Sequence, residues 1–79
     1  MSDDFEMAVS GEIWSVEDLG RRIRARRHQA GLTQAELATF AGTSQPFVSQ
    51  VERGRRTARL DGILRLTEAL GLRLELVER

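Results

Sequence analysis

The sequence predicts an all-α domain of about four helices, followed by one C-terminal β-strand that pairs across a dimer. Three observations predict it. Apolar residues recur at helical spacing between residues 15 and 71; cap residues and the glycines Gly31, Gly42, Gly54 and Gly71 divide that run into four pieces; and residues 72–78 change period from 3.6 to 2. A chain of 79 residues suits one small domain, whose modest core often needs a metal, a disulfide or a partner subunit as reinforcement. There are no cysteines, which excludes disulfides and thiolate metal sites. His28 is the only histidine and no second ligand accompanies it at metal spacing. No metal and no cofactor are expected, so oligomerisation is the reinforcement that remains.

The first helix starts at Ser15, a good N-cap, with Glu17 and Asp18 in the first turn where carboxylates suit the helix dipole. Trp14 at N′ and Leu19 at N4 have the spacing of a hydrophobic staple. Val16, Leu19, Ile23 and Ala30 form the apolar stripe, Arg21, Arg22, Arg24 and Arg26 fill most of the remaining surface, and Gly31 ends the helix.

The second helix opens with "TQAE", a capping box of Thr33 and Glu36, and Gly42 stops it about eight residues later. Ala35, Leu37, Ala38 and Ala41 are small or aliphatic and let it lie close to its neighbours. The third follows a very tight turn, with Ser44 as N-cap, Pro46 in the first turn where a missing N–H is harmless, and Gly54 as its end. Phe47, Val48 and Val51 anchor it, yet Gln45, Ser49 and Gln50 lie among them. Two short helices joined around a glycine make a helix-turn-helix.

The fourth helix spans roughly residues 60–70. Leu60, Ile63, Leu64, Leu66, Thr67 and Leu70 form a broad apolar stripe, and Gly62 within it costs about 1 kcal/mol relative to Ala unless it marks close packing. Beyond Gly71, Leu72, Leu74 and Leu76 share one face and Arg73 and Glu75 the other, a strand signature. Residues 5–9 are a weak candidate for a second strand, and their acidic flanks favour disorder. An unpaired strand leaves backbone groups unsatisfied. The same strand from a second copy remedies this: with the two-fold axis at Leu74, Leu72 faces Leu76 and Arg73 faces Glu75 across the pair. The chain thus divides into an acidic, flexible arm (residues 1–14), a helix-turn-helix domain (15–71) and a dimerisation strand (72–79).

Net charge is zero but unevenly placed. Residues 1–20 carry six acidic groups and no basic one, whereas residues 21–59 carry nine arginines against Glu36 and Glu52. A basic middle segment that contains the helix-turn-helix points to nucleic acid. Neither a signal peptide nor a membrane span is expected from the acidic N-terminus, which places the protein in the cytoplasm.

The stretches "AGLTQAELA", "GTSQPFVSQVERG" and "LRLTEALG", in this order and spacing, resemble the Cro/C1-type (XRE) helix-turn-helix family, whose fold is lambda-repressor-like. The resemblance covers about residues 19–70. The trailing strand narrows it to the HipB-like antitoxins, small dimers that commonly bind a kinase-fold toxin. The family implies that the third helix enters the major groove, with Gln45 and Gln50 on base edges. It also implies that Gln34 contacts phosphate and supports Gln45, that Arg27 and Glu52 form a structural ion pair, and that Arg53, Arg55 and Arg56 run along the backbone. Pro46 and Phe47 depart from the polar residues common there, which weakens the carry-over of base readout at those two positions, although Phe47 stays a candidate base contact beside Gln45 and Gln50. Arg59 replaces the usual Ser or Thr before the fourth helix, leaving Thr57 as the alternative cap.

Chemistry agrees with the resemblance. A glutamine amide pairs bidentately with adenine N6 and N7, and the N-termini of the second and third helices, at Thr33 and Ser44, suit phosphate oxygens. Phe47 fits a thymine methyl or a packing role, and Ser49 fits phosphate or plain exposure. The expected partner is therefore double-stranded DNA bearing a pseudo-palindromic operator, bound by a homodimer. Two functions fit: an autorepressing antitoxin that also binds a HipA-like kinase toxin, and a free-standing transcriptional regulator without a toxin. An enzyme is not expected, because no nucleophile–base pair, metal cluster or phosphate-binding glycine loop is present.

Overall fold

A computed structural model of the chain describes residues 9–79 and shows four helices: α1 (Val16–Gln29), α2 (Gln34–Ala41), α3 (Gln45–Glu52) and α4 (Leu60–Ala69). Their starts follow the cap chemistry. Ser15 accepts a hydrogen bond from the Asp18 backbone N–H, and Thr33 and Glu36 form both bonds of the capping box. Ser44 caps α3 by accepting from the Phe47 N–H. The expected Thr57 cap is absent: Arg59 is the N-cap of α4 without a side-chain bond, while the Thr57 hydroxyl accepts from Arg55 Nε at 3.4 Å. Thr57 lies two positions before the cap residue, too far for its hydroxyl to meet the first turn.

The Trp14 staple is also corrected. The indole is 71% exposed, and the entry to α1 is fixed instead by the Trp14 backbone N–H donating to Asp18 Oδ2 at 3.2 Å. The Arg79 guanidinium lies 5.8 Å above the Trp14 ring, which brings the two ends of the described chain together.

One core holds the four helices. Ile23 of α1, Leu37 and Ala38 of α2, Val48 and Val51 of α3, and Ile63, Leu66 and Leu70 meet in it. α3 packs between α1 and α2, and α4 lies on α2. The α1–α3 approach is close because Gly20 faces it: a Cβ there would stand 2.3 Å from the Val51 carbonyl oxygen. Gly54, after α3, has φ +77° and lies on the Glu17 backbone, a position where any side chain would be both strained and blocked. Arg26 joins the ends of the fold by donating from Nε to the Leu70 carbonyl at 3.0 Å.

The expected C-terminal strand does not form in the single chain; residues 72–79 carry neither strand nor helix. A strand needs a neighbour with which to share ladder bonds, and none is present among the described residues. The Leu72 N–H instead donates to the Thr67 carbonyl at 2.8 Å, closing the end of α4, and the Leu72 side chain packs on the core. Arg73 and Glu75, expected to meet across two copies, pair with each other at 3.2 Å. The acidic arm and the candidate strand at residues 5–9 lie largely outside the described residues. Of the remainder, Val9 and Ser10 are held by their carbonyls, which accept from Arg22 Nη1.

Candidate nucleic-acid interface

At about 100° per residue, positions 45, 46, 49 and 50 of α3 and the cap position 53 after it fall within one arc of roughly 140°, and 47, 48, 51 and 52 on the opposite side. Burial divides the same way. Val48, Val51 and Glu52 are buried, whereas Gln45, Pro46 and Arg53 are exposed and Ser49 and Gln50 half-buried. The polar residues that the core does not use therefore make one outward face. Phe47 belongs to the inner side. It packs partly buried on the core, and its ring sits where a Cβ of Gly62 would be 2.4 Å away. Of its two expected roles, this placement is the packing one, and it gives Gly62 its reason: a larger residue there has to displace the ring.

Beneath the face lies a hydrogen-bonded chain. Arg27 grips Glu52 through Nε to Oε2 at 2.6 Å and Nη2 to Oε1 at 2.9 Å, both groups buried, and Arg27 Nη1 donates to the Leu32 carbonyl at 2.8 Å. The expected ion pair is thus present and ties α1 to the end of α3. Removing either partner of such a pair costs about 3–5 kcal/mol, because a buried charge is left uncompensated. Gln34 Nε2 donates to Glu52 Oε1 at 3.1 Å, and Gln45 Nε2 donates to Gln34 Oε1 at 2.7 Å. The expected support of Gln45 by Gln34 is present. The link from Gln34 down to Glu52 was missed in the sequence, where an N-terminal helix residue and a residue of the next helix carry no sign of contact.

The starts of α2 and α3 are capped by hydroxyl side chains. The Thr33 and Ser44 oxygens accept from the Glu36 N–H at 3.0 Å and the Phe47 N–H at 3.2 Å; the Ser44 hydroxyl hydrogen is left to donate outward, whereas the Thr33 hydroxyl also bonds the Glu36 carboxylate. Glu36 is held below the usual carboxylate range, first by the Thr33 backbone N–H and then by its hydroxyl, with a small opposing effect of desolvation. After α3, Arg53, Arg55 and Arg56 are exposed along the loop, a run of cations bordering the amide face. A second hub was also missed: Asp18 is buried, accepts from the Trp14 backbone N–H, and pairs with Arg22 at 3.4 Å and Arg21 at 3.8 Å. Arg22, read as helix surface, is therefore committed to the fold, whereas the Arg21 side chain stays 56% exposed. Among the described residues no group of acidic residues and histidines could hold a metal ion, and no helix is long and apolar enough to cross a membrane.

Comparison with known proteins follows the same geometry. A family described as "Helix-turn-helix domain" matches residues 18–79. An uncharacterized HTH-type transcriptional regulator of Haemophilus influenzae is 35% identical over 51 residues, covering 65% of this chain and 52% of its own length. The uncharacterized HTH-type transcriptional regulator y4dJ of Sinorhizobium fredii is 38% identical over 54 residues, 68% of this chain and 70% of its own. The HTH-type transcriptional repressor RghR of Bacillus subtilis is 36% identical over 61 residues, 76% of this chain but 45% of its own. The chain thus spans about half the length of the Haemophilus and Bacillus relatives. Among solved structures, a HipA–HipB–O2–O3 complex contains a chain that superposes with a TM-score of 0.80 at 28% identity, covering 87% of this chain and 97% of that one. A HipB–O4 20mer complex gives 0.81 at 28% identity with the same coverage.

Proposed function

The chain belongs to the XRE-type helix-turn-helix family of DNA-binding transcriptional regulators, and from that premise we propose that it is a sequence-specific repressor working as the antitoxin of a toxin–antitoxin pair. As a homodimer it binds a pseudo-palindromic operator in its own promoter, in the cytoplasm, and it also binds a HipA-like kinase toxin. The observation that carries this reading is the likeness to HipB, which extends over 87% of the chain in a complex that also contains HipA.

In the proposed complex α3 enters the major groove, with Gln45 and Gln50 toward base edges. Thr33, Gln34, Ser44 and Ser49 meet phosphates at the helix starts, and Arg53, Arg55 and Arg56 follow the backbone. Phe47 holds α3 against α4 rather than reading a base. Residues 72–76 pair with their copy in a second chain, which sets two recognition helices about 34 Å apart for half-sites one turn apart. Exposed Leu74, Leu76 and Val77 supply apolar surface for that pairing.

A pull-down of the tagged chain, expressed with its neighbouring reading frames, tests the antitoxin role. Recovery of a kinase-fold protein encoded beside it is expected. A mobility shift of its own promoter fragment at moderate salt tests the repressor role, and no shift overturns it. If the promoter shifts but no neighbour co-purifies, the protein is a free-standing regulator, the reading that its regulator-type sequence relatives support.

A further inference from the structure

Among the described residues, two aromatic side chains project from the fold: Trp14 is 71% exposed and Phe40 68%. Neither belongs to the core or to the amide face of α3. Phe40, on α2, lines a groove of about 340 Å³ together with Ala41 and with Arg65, Glu68 and Ala69 of α4. Trp14 precedes α1, with its backbone N–H held by Asp18 and its ring facing the Arg79 guanidinium.

A polar stripe on α1 sets the course of the residues after α4. Asp18, Arg22 and Arg26 recur every four residues along one flank of the helix. Asp18 accepts from the Trp14 N–H, Arg22 donates to the Val9 and Ser10 carbonyls, and Arg26 donates to the Leu70 carbonyl. Residues 71–79 therefore start beside Arg26 and finish at Trp14, running back along about 18 Å of helix. Leu74, Leu76 and Val77 on this run are exposed, as is Ile13 beside Trp14.

That course decides what a second copy meets. In the antiparallel pairing with its two-fold axis at Leu74, Leu72 faces Leu76, and Arg79 comes level with Ala69 of the other copy. Arg79 faces the Trp14 ring, and Ala69 lines the Phe40 groove. The register thus carries the indole of one copy to the groove of the other. The chemistry matches as well. Phe40, Ala41 and Ala69 supply an apolar wall for the ring, while the Glu68 carboxylate supplies an acceptor for the indole N–H and a counter-charge for Arg79.

We propose that Trp14 of each subunit docks in the Phe40 groove of the other, making two reciprocal contacts that flank the paired strands. The inference rests on the strand-paired dimer above and goes beyond it: the segment before α1 and the α2–α4 groove take part in choosing the partner subunit.

The chain has no cysteine and one tryptophan, so both residues can be probed without background. Trp14→Cys and Phe40→Cys are prepared as separate, differently tagged chains, mixed at a concentration where the wild type sediments as a dimer, and oxidised. The mixture is expected to yield a covalent heterodimer, and each variant alone none. In the wild type, Trp14 emission is expected to move to shorter wavelength as dilute protein is concentrated through dimerisation. Phe40→Lys should abolish that shift and raise the dimer dissociation constant about ten-fold or more, with its helical circular dichroism kept because the ring lies outside the core. A wild type that dimerises with unchanged emission overturns the inference and leaves the strand pairing standing, as does a mixture that yields no heterodimer. A Trp14→Cys chain that links to itself also overturns it, since the indole then lies on the two-fold axis. A wild type that stays monomeric overturns both readings.

Discussion

At the scale of single residues, two helix-interior glycines look alike in the sequence and differ in what surrounds them. A Cβ on Gly20 would meet backbone, 2.3 Å from the Val51 carbonyl oxygen and 2.9 Å from that of Glu52. A Cβ on Gly62 would meet the Phe47 ring at 2.4 Å, a side chain that can tilt away. Gly20→Ala must push α1 off α3, whereas Gly62→Ala regains about 1 kcal/mol of helix propensity against the cost of moving one ring. Overpacking of a rigid contact costs about 1–3 kcal/mol. Urea unfolding should therefore show Gly20→Ala destabilised by an amount in that range or above, and Gly62→Ala by clearly less. Equal losses would mean that the α1–α3 crossing yields as readily as a side chain. Residue-scale legibility follows the same division. The Arg27–Glu52 pair was legible only through family resemblance, and the closeness at Gly20 was not legible at all, because nothing in "EDLGRR" says which helix will lie over it.

At the scale of elements, the four helices and their stops were legible because cap and stop signals are local. Thr33 and Glu36 sit three residues apart whatever the rest of the chain does, and Gly71 ends α4 by a bond from Leu72 N–H to the Thr67 carbonyl within one turn. The Thr57 cap failed for the same local reason, a spacing two residues too long. The capping box makes a pH prediction. Glu36 is held below its ordinary 4.5 by its Thr33 bonds, so its folded value is lower than its unfolded one. Its stabilising effect is fully present above the ordinary value and is lost as pH falls through the lowered folded value. Glu36→Gln, which keeps a hydrogen-bond acceptor but cannot ionise, should flatten part of the acid limb of a stability-against-pH curve while leaving its neutral portion little changed. An acid limb identical to the wild type would show that the box carries no charge-dependent share of α2.

At the scale of the whole molecule, the strand was the one element whose period was legible and whose partner was not. Leu72, Leu74 and Leu76 alternate with Arg73 and Glu75, but a ladder is a property of two strands, and the described chain has no second one. Apolar side chains also stay uncovered in the single chain: Leu60 and Leu64 of α4 are exposed, as are Leu74, Leu76 and Val77. For a domain with so small a core, covering that surface by a second copy would add burial that one chain cannot supply, and under the proposed dimer the same contact would bring two basic loops onto one duplex. Dimerisation and salt sensitivity should therefore fall together. Leu76→Asp places a charge opposite Leu72 of the other copy, on a side chain that makes no contact in the single chain (105% exposed), so the helical domain should keep its circular dichroism. Sedimentation should show the wild type as a dimer and this variant as a monomer. Because each neutralised phosphate contributes about −0.9 to the slope of log affinity against log salt, losing one subunit's contacts should roughly halve that slope on a promoter fragment. A Leu76→Asp protein that still sediments as a dimer would place the subunit contact elsewhere than residues 72–76. One that is monomeric with an undiminished slope would mean that a single chain makes all the phosphate contacts.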